Sequence, residues 1–127
     1  MGMSLDGKSR LWLALAAAHG FIGVTAGAFA AHGIADPFTQ NLLRTGGEYE
    51  LIHAVAALAC VALWSLGLKR AGPAAWLFLA GAAVFSWSLY LIALTGQRWL
   101  GAITPLGGLA FLAGWAVLAW AALQKPR

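Results

Sequence analysis

Charge is what this sequence has least of. Charged residues make up 9% of the 127, where an ordinary soluble domain carries about 25%. Carboxylates are rarer still, namely Asp6, Asp36, Glu48 and Glu50. Four of them cannot supply a di-iron centre, although Glu50-x-x-His53 has the spacing such centres use. A lone cysteine, Cys60, excludes a disulfide framework, a CxxC motif and a structural zinc site. The sequence has no G-x-S-x-G, no phosphate-cradling glycine loop and no dinucleotide fingerprint. An enzyme is therefore the least supported class, and neither a cofactor nor a metal is expected. Segments of alternating polarity are missing too, which argues against β-barrel strands.

Apolar residues fill the space that charge leaves. They are 61% of the chain, with a mean hydropathy of +0.78, and that composition belongs to an integral membrane protein. The length fits one domain, residues 1–127. A net charge of +4 and a pI near 9.9 would suit a nucleic-acid binder. The charges, however, sit at the ends of apolar runs, as membrane orientation requires, so the partner expected is the lipid bilayer and not nucleic acid.

Four apolar runs, approximately 11–31, 46–68, 74–95 and 105–123, are separated by short polar stretches. A helix of ~20 residues crosses the ~30 Å hydrocarbon layer, so each run is long enough to span once. The first run exceeds the length of a signal-peptide core and reads as a retained helix. The expected fold is an all-α membrane bundle of four transmembrane helices. Asp36-Pro37 has the form of an N-cap and first-turn proline. It predicts a short interfacial helix over 37–44, with Phe38, Leu42 and Leu43 at the boundary. Thr45-Gly-Gly-Glu48 has the form of a capping box and predicts the start of the second span. Thr104-Pro105 predicts the start of the fourth, the alternative being a helix from near Trp99 kinked at Pro105. A shift of 64 residues lays Trp12, Leu13, Leu15, Ala16, Ala18 and Phe21 on identical residues of the third run. Alanine and leucine are so common here that this is weak support for a duplication.

Lysine and arginine orient the chain. Lys8, Arg10, Lys69, Arg70, Lys125 and Arg127 fall on one side of a four-span fold, and Arg44 and Arg98 on the other. Six against two predicts that both termini are cytoplasmic. Trp12, Trp64, Trp76 and Trp120 fall near the same interface, where a tryptophan belt is expected.

Candidate residues are of two kinds. Gly20, Gly23 and Gly27, with Ala16 and Ala31, form a small-residue seam on the first run, and Ala110 and Gly114 a shorter one on the fourth. Such seams let helices approach closely within one chain or between protomers. Among the polar residues, His19 lies deepest, and an ionisable group there is a functional candidate by default. The bland reading is a neutral imidazole bonded to another helix. His32, Glu50, His53 and Thr104 are expected level with one another at the outer end of the spans, with His53 facing inward and His19 beneath. That cluster could bond internally, hold a small ligand or hold a single metal.

The segments GAFAAHG (27–33), EYELIHA (48–54), FSWSLYLIALTG (85–96) and LGAITPLGG (100–108) occur in this order. Together they resemble the small four-helix membrane proteins catalogued as domain of unknown function 423, related to transmembrane protein 256. The resemblance runs from about residue 11 to 123. It implies a protein of the bacterial inner membrane and a family without an established activity. It also leads one to expect glutamine where this chain has Glu50, and a small residue where it has Trp87. Two functional readings follow. The first is a structural or accessory bundle that self-associates or joins a larger membrane complex. The alternative is a small-ligand, metal or permeation module built on the outer His/Glu cluster.

Overall fold

In hydrocarbon, backbone amides find no partner but one another, so an apolar run of this length folds as a helix. The computed structural model of the chain describes residues 5–124. Four helices cross from end to end: α1 (Gly7–His32), α2 (Pro37–Ser65), α3 (Ala71–Thr95) and α4 (Thr104–Leu123). A 3-10 helix, Arg98–Ala102, leads into α4, and the described residues contain no strand. All four are long and apolar enough to cross a membrane. Short side chains start the first two. Asp6 accepts from the Ser9 amide at 2.8 Å, and Asp36 from the Thr39 amide at 3.0 Å with Pro37 in the first turn. Gly96, at φ 74°, closes α3 in the left-handed conformation that glycine adopts without strain.

The structure departs from expectation at the start of α2 and in the role of Thr104 at the start of α4. No separate interfacial helix covers 37–44: residues 37–65 form one unbroken helix. The Thr45–Glu48 capping box is not used, because a break there would leave amide groups open inside hydrocarbon, whereas continuation pairs them all. Thr104 likewise caps nothing. It is the first residue of α4, no side chain caps that helix, and its hydroxyl shares a hydrogen bond with Ser88 of α3.

Helices adjacent in sequence pack side by side, α1 on α2, α2 on α3 and α3 on α4, with a smaller contact between α1 and α3. Consequently α2 and α3 are central while α1 and α4 flank them. Glycines set the spacing. A Cβ on Gly47 would stand 2.8 Å from the Gly23 carbonyl oxygen, so α1 and α2 meet backbone to backbone. Gly107 lies closer still against the Phe85 backbone, bringing α4 onto α3, and Gly114 faces the Phe78 ring. Gly20 and Gly27 have open space above them, and partly exposed Ala110 lies at none of these glycine contacts.

One end of the bundle collects the start of α1, the 66–70 connection and the end of α4. Trp12 is a core residue there and not a belt residue: it is 1% exposed and lies edge-on to Trp64 at 5.0 Å. Lys69 sits 4.2 Å above Trp64, and Arg70 sits 3.9 Å above Trp120. Lys125 and Arg127 lie outside the described residues.

Candidate functional site

Because α2 starts at Pro37, Glu50 falls near its middle, level with His19 near the middle of α1. Its carboxyl group is fully buried, at 0% exposure. Oε2 lies 2.6 Å from His19 Nδ1 and accepts from Trp87 Nε1 at 3.0 Å, while Oε1 accepts from the Tyr90 hydroxyl at 2.7 Å. Residues from α1, α2 and α3 thus converge on one carboxylate at mid-span. A carboxyl group at that depth is costly unless its oxygens are hydrogen-bonded, and here both are. The His19 imidazole also lies along the Trp87 ring, with centroids 5.4 Å apart.

His53 lies on the same helix but turns away from this centre. It is 5% exposed and packs face to face on Phe111 of α4, with centroids 3.5 Å apart. Nδ1 donates to the Tyr49 carbonyl at 2.7 Å, and Nε2 accepts from Trp115 Nε1 at 3.0 Å. These partners fix a neutral imidazole with its proton on Nδ1. Both nitrogens are occupied, so His53 has no lone pair left for a metal. Tyr49, Phe85, Phe111 and Trp115 continue from it into a groove of about 560 Å³ on the lipid-facing side.

The outer cluster expected from sequence therefore does not assemble. His19 and Glu50 meet at mid-span, His53 joins α4, Thr104 pairs with Ser88, and His32 stays exposed at the end of α1. The cause is the missed start of α2. Moving it from 46 to 37 carries Glu50 from the membrane surface into the interior. Among the described residues no three His, Cys, Asp or Glu side chains are grouped to hold a metal. Trp87 and Tyr90 complete the site; the sequence marked Trp87 only as a departure from the family pattern, and Tyr90 not at all. Their signal was present: two aromatic residues with polar tips, three apart on a deep helix, which must find partners when buried.

The family described as Protein of unknown function (DUF423) matches residues 26–108 of the chain. Over 120 residues the chain is 36% identical to the UPF0382 membrane protein YwdK of Bacillus subtilis, covering 91% of this chain and 98% of the relative. A UPF0382 membrane protein of Haemophilus influenzae is 40% identical over 120 residues, covering 90% and 94%. The UPF0382 inner membrane protein YgdD of Escherichia coli K12 is 37% identical over 123 residues, or 94% of each chain. No solved structure matches. Matches that run nearly end to end, joined to four helices of spanning length, make this chain a member of the DUF423 family of small membrane proteins.

Proposed function

We propose that this membrane protein is an accessory helix bundle that associates with a second copy of itself, or with a larger membrane complex, through the outward face of α1. One observation carries the reading. Ala17, Gly20, Gly27 and Ala31 recur at helical spacing along α1, and a Cβ at either glycine would meet nothing within 4 Å. Val24 is the larger side chain in this stripe, and the small residues on either side of it let another helix approach closely, which is what drives helix association in lipid. The polar interior supports the same reading, because the Glu50 carboxylate is saturated by residues of its own chain.

The membrane expected is the bacterial inner membrane, with both termini cytoplasmic. Support comes from the Escherichia coli relative, whose name says inner membrane protein, and from the excess of lysine and arginine on the side of the termini.

Native mass spectrometry of the protein extracted with its lipids tests the association. The expected result is a mass above that of one 13.2 kDa chain, as a multiple or with further subunits. Replacing Gly20 or Gly27 by leucine should reduce it to the single chain. A single chain in the wild type, with nothing co-purified, would sink the reading.

A further inference from the structure

Helices α2 and α4 both pack on α3 but are not among the pairs in close backbone contact, so a gap remains between them on the lipid-facing side. Side chains bridge it at one level, where His53 stacks on Phe111 and accepts from Trp115. What is left is the groove of about 560 Å³, within the ~300–1,000 Å³ of small-molecule sites. Its rings share an orientation: the planes of Tyr49, His53 and Phe111 lie within 12° of one another. Tyr49 is 43% exposed. Its carbonyl accepts from His53, and its hydroxyl has no partner among the described residues.

We propose that this groove binds a membrane quinone. Its flat ring lies against the aromatic wall, one carbonyl oxygen accepts from the Tyr49 hydroxyl, and the isoprenoid tail stays in lipid. The site is independent of association through α1, because α2, α3 and α4 line the groove and α1 does not.

Three features select this occupant. The first is access: the groove opens to hydrocarbon, so whatever fills it must dissolve there. The second is the hydroxyl. Tyr49 precedes Glu50 near the middle of α2, ~18 Å along the axis from Pro37. A donor left open in hydrocarbon is costly, so the occupant must bring an acceptor to that depth. Phospholipid acyl chains carry none, because their ester carbonyls stay at the edges of the ~30 Å layer. A quinone carries its carbonyls on an apolar ring that enters the layer. The third is the wall itself. An electron-poor flat ring stacks on the faces of tyrosine and tryptophan. His53 is tied at both nitrogens, to the Tyr49 carbonyl and to Trp115 Nε1, so the wall is set before the ligand arrives and little is lost in ordering it.

The test is photolabelling of the full chain in phospholipid nanodiscs with an aryl-azide analogue of ubiquinone, mapped by mass spectrometry of its peptides. Label should fall on the groove residues of α2 and α4, and excess decylubiquinone should protect them where excess oleate does not. Tyr49→Phe keeps the ring and removes the donor. It should weaken protection about three- to tenfold, the worth of one hydrogen bond inside a membrane. Gly108 also lines the groove, and a Cβ there meets nothing within 4 Å but the Phe85 ring, at 3.9 Å. Gly108→Phe therefore fills the groove without entering the core, and should abolish the protected labelling while the helical melt stays as in the wild type. Labelling elsewhere, or labelling that decylubiquinone does not displace, would overturn the proposal. Equal displacement by oleate would overturn it too and make the groove a slot for acyl chains. So would protection in Tyr49→Phe as strong as in the wild type. If that variant does not fold, the wild type and Gly108→Phe decide.

Discussion

At the scale of single residues, the bundle treats its few polar groups in two ways. Glu50 is enclosed by donors that have no other acceptor, so its removal is felt at three places at once. Glu50→Leu keeps the bulk and orphans His19 Nδ1, Trp87 Nε1 and the Tyr90 hydroxyl. The expected loss is about 2–3 kcal/mol, measured by unfolding in mixed micelles. Glu50→Gln keeps acceptor oxygen at the site and should lose about 1 kcal/mol. Equal losses for the two would mean that packing, and not hydrogen bonding, is what Glu50 supplies. His53 is held differently, by one donor on α4. A double-mutant cycle of His53→Phe and Trp115→Phe should show a coupling of about 1 kcal/mol, and additive effects would deny the bond. His19 was legible in the sequence because it falls in the middle of the first apolar run. Its partners were not. Trp87 and Tyr90 read as ordinary aromatic bulk until the third helix is rotated against the second, and sequence gives no rotation.

The elements were legible in number and nearly so in extent, because uninterrupted hydropathy of spanning length has one stable outcome in lipid. The start of α2 was not, for a specific reason. Thr45-Gly-Gly-Glu48 carries the residues of a cap, yet its glycines serve contacts: Gly47 meets the Gly23 backbone and Gly46 meets Tyr90. Small residues mark a helix end in water and a helix crossing in lipid. That double meaning misplaced Glu50, and with it the site. Alanine substitutions separate the two roles. Gly47→Ala forces backbone apart and should cost about 1–3 kcal/mol. Gly27→Ala enters open space and should be neutral, or should stabilise by up to ~1 kcal/mol through helix propensity. Similar melting for both would show that α1 and α2 are not held backbone to backbone. The true start of α2 is pH-sensitive. Bonds from the Thr39 amide and hydroxyl hold the Asp36 carboxyl below its ordinary value. A depressed value means the cap contributes above the unfolded carboxylate range and is lost as pH falls through the folded value. The Thr39 amide shift should therefore move toward its uncapped position in acid, and Asp36→Ala should show that position at every pH.

For the whole molecule, the open question is which way it faces, and its two ends differ enough to argue it. The end holding the start of α1 and the 66–70 connection has Lys8, Arg10, Lys69 and Arg70 among the described residues, and the sequence adds Lys125 and Arg127. Lys69 over Trp64 and Arg70 over Trp120 pair a cation with an amphipathic ring, the combination that anchors a helix at the headgroup level. The opposite end has Arg98, which rests on Phe38, and Arg44. Since α2 begins at Pro37, Arg44 lies about two turns inside it, ~10 Å deep, and its long side chain must reach outward to water. Positive charge close to the ends of short-looped helices resists translocation, which is the ground on which the richer end is proposed to be cytoplasmic. Reporter fusions after Ala35 and after Gln97 should both read as external, and one after Gln124 as cytoplasmic. Neutralising Lys8, Arg10, Lys69 and Arg70 together leaves the two ends nearly balanced, and the same fusions should then divide between the two sides. A cytoplasmic reading after Ala35 or Gln97 in the wild type would invert the assignment. It would also move Trp64 and Trp120, with the cations above them, to the outer leaflet.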